Sequence, residues 1–391
     1  RIKLIKERKK YMRQIELIAT STFGLEAVVK RELLNLGYDD LMVENGKITF
    51  KATEEDIPIT NLWLRSADRV LLKMGEFKAT SFEELFEKTK ALPWDEWITK
   101  DGEFTVEGKS VDSKLFSISD SQAIVKKAVV EKMKTKYNIE WFKETGAKFT
   151  IEVSLLKDIA TLTIDTSGVG LHKRGYRLAS VEAPLKETLA AALIQLSYWN
   201  KNRLLLDPFC GSGTIPIEAA MIGKNIAPGL NRNFASEEWP RVKKEYWNDA
   251  RRQAWDVMLK DFKLNIIASD MDKAAVEAAK QNAGSLFLEE DIQFIRKDFR
   301  DLNIKNDYGV IICNPPYGER IGKKEEVSKL YKDMGKIFKE LDTYSIYVLT
   351  SNEGFEGLYG RVADRKRKLY NGRIKVDYYQ YYGPRPPKRE I

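Results

Sequence analysis

Two hydrophobic rhythms divide this chain. Up to Asp165, short runs of alternating apolar and polar positions take turns with amphipathic stretches. Residues 15–20 alternate as a strand. Residues 23–36 place Leu25, Val28, Val29, Leu33 and Leu36 on one helical face, which Gly37 closes. Residues 41–50 predict a hairpin turning at Asn45-Gly46. Helical spacing recurs at 54–64, 82–90 and 119–136, with strands near 70–77 and 104–109. A second hairpin joins 149–156 to 160–165 through Lys157-Asp158. This is α+β organisation, and nothing in it points to catalysis.

From Leu204 the rhythm becomes strand, glycine turn, helix, repeated. Strands are predicted at 204–206, 266–269, 292–296, 310–313 and 345–350, and helices at 215–222, 273–283 and 327–341. Apolar strands alternating with helices indicate a parallel sheet covered on both faces. The end differs: 366–370 and 373–382 flank Asn371-Gly372, so the last strand returns antiparallel. The reading is an α/β, doubly wound domain with an antiparallel last strand. A helix is expected over 183–193 with Pro184 near its first turn, and a Trp- and charge-rich helical insertion over 237–263. The basic, Pro-rich 383–389 reads as a surface strap.

A length of 391 residues exceeds one hydrophobic core and implies two or three domains. Lys and Arg total 66 against 58 acidic residues, a net charge of +8, with a pI near 9.0. A polyanionic partner fits that balance, and so does a plain basic surface. Cys210 and Cys313, the two cysteines, make no disulfide framework and suggest a reducing cytoplasm. No run is long and apolar enough for a membrane span. The basic start has no signal-peptide core, and Met12 is a candidate native start. His172 is the sole histidine, which argues against His-ligated metals and Ser-His-Asp catalysis.

The chemistry concentrates in two motifs. Asp207-Pro208-Phe209-Cys210-Gly211-Ser212-Gly213-Thr214 follows an apolar strand and opens a helix, where ligands of open parallel sheets bind. Glycines let backbone approach a ligand. A carboxylate at Asp207 disfavours a polyphosphate and suits an ammonium, as in the methionine part of S-adenosylmethionine, and no Gly-Lys-Ser/Thr is present. Asp270, ending the next strand, can accept ribose hydroxyls. Met271 lies beside it, and Asp272 can be a helix N-cap. Asp298 can accept an adenine amino group, with Phe299 beside the ring, or be an ordinary loop carboxylate.

The second motif is Asn314-Pro315-Pro316-Tyr317, directly after the strand 310–313. An exocyclic base nitrogen is a poor nucleophile because its lone pair is delocalised. Two acceptors, the Asn314 side-chain oxygen and the Pro315 carbonyl, would favour its localised form. The prolines fix φ and remove competing donors, and Tyr317 can stack on a base taken out of its helix. Asn314 thus faces both cofactor and substrate.

With these motifs, the chain resembles the THUMP-domain RNA methyltransferases, in particular the bacterial large-subunit rRNA guanine-N2 family. The likeness runs from about Glu16 to Tyr382 and includes Leu171-His172-Lys173-Arg174-Gly175-Tyr176-Arg177, Ala183-Pro184-Leu185-Lys186-Glu187-Thr188-Leu189-Ala190, and Gly318-Glu319-Arg320. It implies a ferredoxin-like module (12–65), a THUMP RNA-binding module (66–165) and a Rossmann-like methyltransferase domain (166–391). It also implies that Pro184, Leu185 and Lys186 line the methionine end of S-adenosylmethionine. Lys173, Arg174, Arg177, Arg320 and Lys323 form either a phosphate-binding rim or solvated charge. Larger family enzymes carry a second methyltransferase domain; this chain is expected to match a single activity. Guanine-N2 methylation of large-subunit rRNA leads the alternatives, which are tRNA guanine-N2 methylation, DNA adenine-N6 methylation and a non-catalytic RNA-binding assembly factor. The N-terminal modules show no recognition helix or zinc site for DNA.

Overall fold

The computed structural model describes residues 13–179, 184–304, 307–318 and 324–387. Met12, Ala183, Glu319, Arg320 and Lys323 lie outside them. Contacts divide the chain into two compact units: Arg1–Ser21, Lys30–Leu171 and Asn233–Gln253 form one, and Thr22–Val29, His172–Arg232 and Ala254–Ile391 the other.

In the first unit the predicted hairpins and strands join one sheet. β1 (Ile15–Ser21), β2 (Leu41–Glu44), β3 (Lys47–Ala52), β4 (Ala67–Lys78), β5 (Glu103–Val111), β6 (Lys148–Leu156) and β7 (Ile159–Asp165) lie in the order β2-β3-β1-β4-β7-β6-β5. β4 pairs with β1 on one side and β7 on the other, so a single sheet runs through the whole unit. The β6–β7 turn is tight because Lys157 and Asp158 both take positive φ, 51° and 63°. The helices are α1 (Glu26–Asn35), α2 (Asp56–Trp63), α3 (Phe82–Lys90) and α4 (Ile118–Tyr137). Ser81 and Ser117 cap the last two by accepting the backbone N–H of Glu84 and Asp120.

Residues 233–253 lie far downstream in sequence yet pack here. Trp239 stacks on Phe149 with centroids 5.0 Å apart. Its indole N–H donates to the Lys148 carbonyl at 3.0 Å. Arg241 pairs with Glu54 at 2.6 Å and Glu96 at 3.2 Å. The insertion is helical over Lys244–Asp256 (α7), shorter than the expected 237–263.

The second unit holds α5 (Glu187–Gln195), β8 (Leu205–Asp207), α6 (Thr214–Gly223), β9 (Ile266–Asp270), α8 (Lys273–Gly284), β10 (Ile292–Arg296), β11 (Val310–Cys313), α9 (Lys324–Lys339), β12 (Ser345–Thr350), α10 (Phe355–Tyr359), β13 (Arg365–Asn371) and β14 (Ile374–Tyr381). The strand order is β10-β9-β8-β11-β12-β14-β13. β10 through β12 are parallel, and β14 is antiparallel to both β12 and β13. Both faces are buried: Leu205, Val310 and Ile312 enter one core cluster, and Leu204, Leu206, Ile311 and Cys313 the other. Such strands are expected to be apolar on both faces, and β8 and β11 depart from this only at the buried Asp207 that ends β8. α5 begins at Glu187 with Lys186 as its N-cap. Pro184 therefore precedes the helix instead of sitting in its first turn.

Candidate active site

β8 and β11 are neighbours, with Leu205 opposite Val310 and Leu206 opposite Ile311. Chain direction reverses its progress across the sheet between them, which opens a crevice at their carboxyl ends. The glycine turn leaves β8 there, and the Asn-Pro-Pro-Tyr tetrad leaves β11. The two expected motifs therefore stand side by side, about 5 Å apart in strand spacing.

Hydrogen bonds shape the turn. The Cys210 N–H donates to the Ser269 carbonyl at 2.9 Å. The Gly211 N–H donates to Asp270 Oδ2 at 3.0 Å, and the Phe209 N–H to Asp207 Oδ1 at 3.1 Å. Gly213 has φ +85°, and a Cβ there would lie 2.9 Å from the Ala279 Cβ on α8. Only glycine fits, because the conformation is left-handed and the helix is too close. Pro208 and Ser212 are buried within the turn, and Thr214 begins α6.

Asp207 is 1% exposed, and burial, with the nearby Asp270 charge, pushes its carboxyl well above the usual carboxylate range. A cationic group would relieve that cost. Asp270 Oδ1 accepts the Asp272 N–H at 3.0 Å. Each Asp270 oxygen thus holds one backbone donor and retains a further lone pair. Asp272 is the N-cap of α8. Met271 is 69% exposed.

Beyond β10 the expectation for Phe299 needs correction. The Asp298 oxygens accept the Arg300 N–H at 2.9 Å and Arg300 Nη1 at 2.8 Å, one donor on each, and each retains a further lone pair. Phe299 does not offer an open ring. It is 3% exposed and packed against Phe209 and Phe338, with centroids 5.1 and 5.9 Å away.

Two expected rim cations are interior. Arg174 is 2% exposed and faces Glu218 at 3.3 Å. The Arg177 side chain is 15% exposed and ties four groups together. Its fork donates to Glu187 Oε1 at 2.8 Å, Ser212 Oγ at 3.0 Å, Thr214 Oγ1 at 3.0 Å and the Leu185 carbonyl at 3.1 Å. Leu185 and Lys186, beside Pro184, are thereby joined to the glycine turn. Asn282 on α8 adds a second tie: its Nδ2 donates to the Ala179 and Ser212 carbonyls at 2.8 and 3.0 Å. Lys173 is exposed, as a rim residue would be. Arg320 and Lys323 fall outside the described residues.

In the tetrad, the Tyr317 hydroxyl donates to Asn314 Oδ1 at 2.5 Å. The Pro316 carbonyl accepts the Tyr331 hydroxyl from α9 at 2.8 Å, and that hydroxyl also meets Thr350 Oγ1 at 2.9 Å. Burial pushes the Tyr331 hydroxyl up to about 12, so it stays protonated as a donor. Tyr331, Asn282 and Glu187 were not singled out by the sequence reading. Tyr331 falls four positions after Val327 on the buried stripe of its helix, where it counts simply as core. Burial also pushes both cysteine thiols up, which makes neither a nucleophile.

The family described as "RMKL-like, methyltransferase domain" matches residues 174–380, over half of the chain. The chain belongs to this family. The RlmL ferredoxin-like domain matches residues 16–71, and the THUMP domain residues 79–165. The expected fold class therefore holds for this RMKL-like chain: ferredoxin-like and THUMP modules precede a methyltransferase domain. A Bacillus subtilis (strain 168) relative named "Putative RNA methyltransferase YpsC" is 52% identical over 382 residues, covering 97% of this chain and 99% of that protein. The "Ribosomal RNA large subunit methyltransferase K/L" of Syntrophotalea carbinolica is 32% identical over 381 residues, covering 92% of this chain. The match spans 52% of that relative's length. The crystal structure of SMU.472, complexed with SAH, superposes with a TM-score of 0.91 at 46% identity, covering 96% of this chain and 99% of its own.

Proposed function

We propose that the chain methylates an exocyclic amine of an RNA base, guanine N2 of large-subunit rRNA, at the crevice between β8 and β11. The observation that carries this reading is the adjacency of the Asn314 tetrad to a glycine turn backed by a buried carboxylate. S-adenosylmethionine is the cofactor; when bound, it supplies an electrophilic methyl group. The residues present fit it. Gly211 and Gly213 leave the turn without side chains, Asp207 suits its ammonium, and Asp270, with its spare lone pairs, suits its ribose. Pro184, Leu185 and Lys186 close the methionine end, held there by Arg177. Asp298, with a further lone pair on each oxygen beside its bonds to Arg300, suits the adenine amine.

The tetrad does the substrate chemistry. Asn314 Oδ1 and the Pro315 carbonyl accept the two N–H groups of the base amine, which localises the nitrogen lone pair. In the structure the Tyr317 hydroxyl occupies Asn314 Oδ1. Base entry therefore displaces that hydroxyl or uses the second lone pair, and leaves the Tyr317 ring to stack on the base. Tyr331 holds the Pro316 carbonyl, which fixes the turn so that positioning, rather than proton abstraction, lowers the barrier. The THUMP and ferredoxin-like modules bind the RNA.

The names of the relatives support the substrate class. Nucleoside mass spectrometry of rRNA and tRNA from a deletion strain tests it. Large-subunit rRNA should lose an N2-methylguanosine that the wild-type gene restores and an Asn314→Ala gene does not. Loss of that nucleoside from tRNA alone would move the substrate to tRNA.

A further inference from the structure

The β13–β14 hairpin carries an unusual local charge. Arg361, Arg365, Lys366, Arg367, Lys368, Arg373 and Lys375 fall within fifteen positions that hold one acidic residue, Asp364, in a chain whose totals are 66 and 58. All but Arg367 are exposed. Arg361 pairs with Asp364 at 3.3 Å, Lys366 with Asp377 at 3.4 Å and Lys375 with Glu353 at 3.0 Å. Arg365, Lys368 and Arg373 make no ion pair among the described residues. Charge on an edge strand also guards against unwanted strand pairing. That role needs charge along the strand but has no preference for either end.

Register places the two ends differently. Asp377 is opposite Thr350 on one side and Lys368 on the other. β13 therefore runs parallel to β12, with Lys368 level with Thr350. Cys313 is opposite Val348, so Asn314 follows about one step behind that level. The hairpin tip, Tyr370 to Arg373, then projects roughly 10 Å past the same sheet edge at about 3.3 Å per residue. It lies three strands from β11, about 14 Å sideways, on the side away from the cradle strands β8, β9 and β10. Arg365, opposite Gln380, sits at the far end of the strand. The tip is also held firmly. Leu369 is fully buried, Phe23 meets Tyr370 edge to face at 6.2 Å, and a Cβ on Gly24 would lie 2.9 Å from the Lys368 carbonyl.

We propose that Lys368 and Arg373 at this tip form a phosphate-binding arm for the RNA backbone flanking the base held by Asn314. The proposal rests on the reading that the chain acts on RNA. The cofactor cradle occupies the opposite side of the tetrad, which leaves the side over β12, β14 and β13 open to the polymer. A rigid arm with two cations outside any ion pair, Lys368 with Glu353 in its neighbourhood, meets its phosphates there without prior ordering.

The experiment compares two charge-matched double variants of the full chain. One is Lys368→Gln with Arg373→Gln at the tip; the other is Arg361→Gln with Arg365→Gln at the far end. Binding of a fluorescein-labelled single-stranded RNA of mixed sequence is followed by anisotropy between about 50 and 200 mM salt. The tip variant should lose about 1.4 from the slope of log affinity against log salt, at about 0.7 per phosphate contact. The far-end variant should keep the wild-type slope. Calorimetric SAH binding should match wild type in both, which shows that the catalytic unit is folded. Equal slope losses in both variants, or no loss at the tip, would overturn the arm. Wild-type protein that binds no RNA would instead remove the RNA reading itself.

Discussion

Arg177→Met should unfold the catalytic unit far more easily than its sequence context suggests. The guanidinium satisfies two hydroxyls, one carbonyl and the Glu187 carboxylate, whose side chain is only 5% exposed. Methionine fills much of the volume but leaves that buried carboxylate without its guanidinium partner. Removing one partner of a buried pair costs about 3–5 kcal/mol. Adding Glu187→Gln removes the stranded charge and should recover about 1–3 kcal/mol, since a neutral amide is cheaper to bury. Urea denaturation supplies the measurement, read on the transition that SAH shifts upward, because ligand binding marks the unit that holds the cradle. The same samples should show weakened SAH binding, since the Pro184–Lys186 wall and the Ser212–Thr214 turn lose their shared anchor. A single variant within about 1 kcal/mol of wild type would refute this reasoning. A double variant no more stable than the single would do the same.

Three further outcomes follow from the site. Asp270→Ala frees the backbone N–H groups of Gly211 and Asp272, and should weaken SAH binding by about tenfold or more in calorimetry, or roughly 1.4 kcal/mol. Gly213→Ala forces a side chain into φ +85° against Ala279; it should cost about 1–2 kcal/mol for the backbone and roughly 1–3 more for the overlap, read by denaturation. Burial pushes the His172 imidazole down to about 4, with Glu187 opposing and Lys186, Lys173 and Arg174 reinforcing. The unfolded chain, near 6.5, takes up the proton first. Stability is therefore complete above about pH 6.5 and declines as pH falls toward 4. The full shift corresponds to about 3 kcal/mol, which partial exposure reduces to roughly half. As the sole histidine, its NMR titration is a single curve, and a midpoint at 6 or above would contradict the half-buried placement.

What the sequence revealed, and what it hid, has a physical pattern. Local signals were legible: the period-two runs, the Asn-Gly turns and the apolar strands doubly buried at the centre of a parallel sheet. The tetrad and the glycine turn were legible because their composition is dictated by backbone geometry and by acceptor chemistry. The clearest failures are polar pairings that no local pattern announces. Arg174 and Arg177 sit in a basic heptapeptide that reads as solvent-facing. Their partners Glu218 and Glu187 are 44 and 10 residues away, and nothing local announces them. Residues 233–253 fall within the expected methyltransferase domain, 166–391, because they lie between its strands in sequence, whereas Trp239 and Arg241 find their partners in the first unit.

These pairings also relocate the charge available to a polyanion. Each buried arginine matched by a buried glutamate leaves the surface neutral at that point, so the heptapeptide contributes one exposed cation, Lys173, where three were expected. The excess of basic residues has to appear elsewhere, and one concentration lies on β13 and its turn, where register sets Lys368 and Arg373 beside the tetrad edge. An interior arginine that shapes the cofactor wall and an exterior lysine that meets phosphate have the same charge and opposite requirements. The first is expensive to expose or remove and insensitive to salt, whereas the second is cheap to remove and loses its effect as salt rises. Stability and salt dependence, measured on the same variants, therefore separate the two roles that sequence merges.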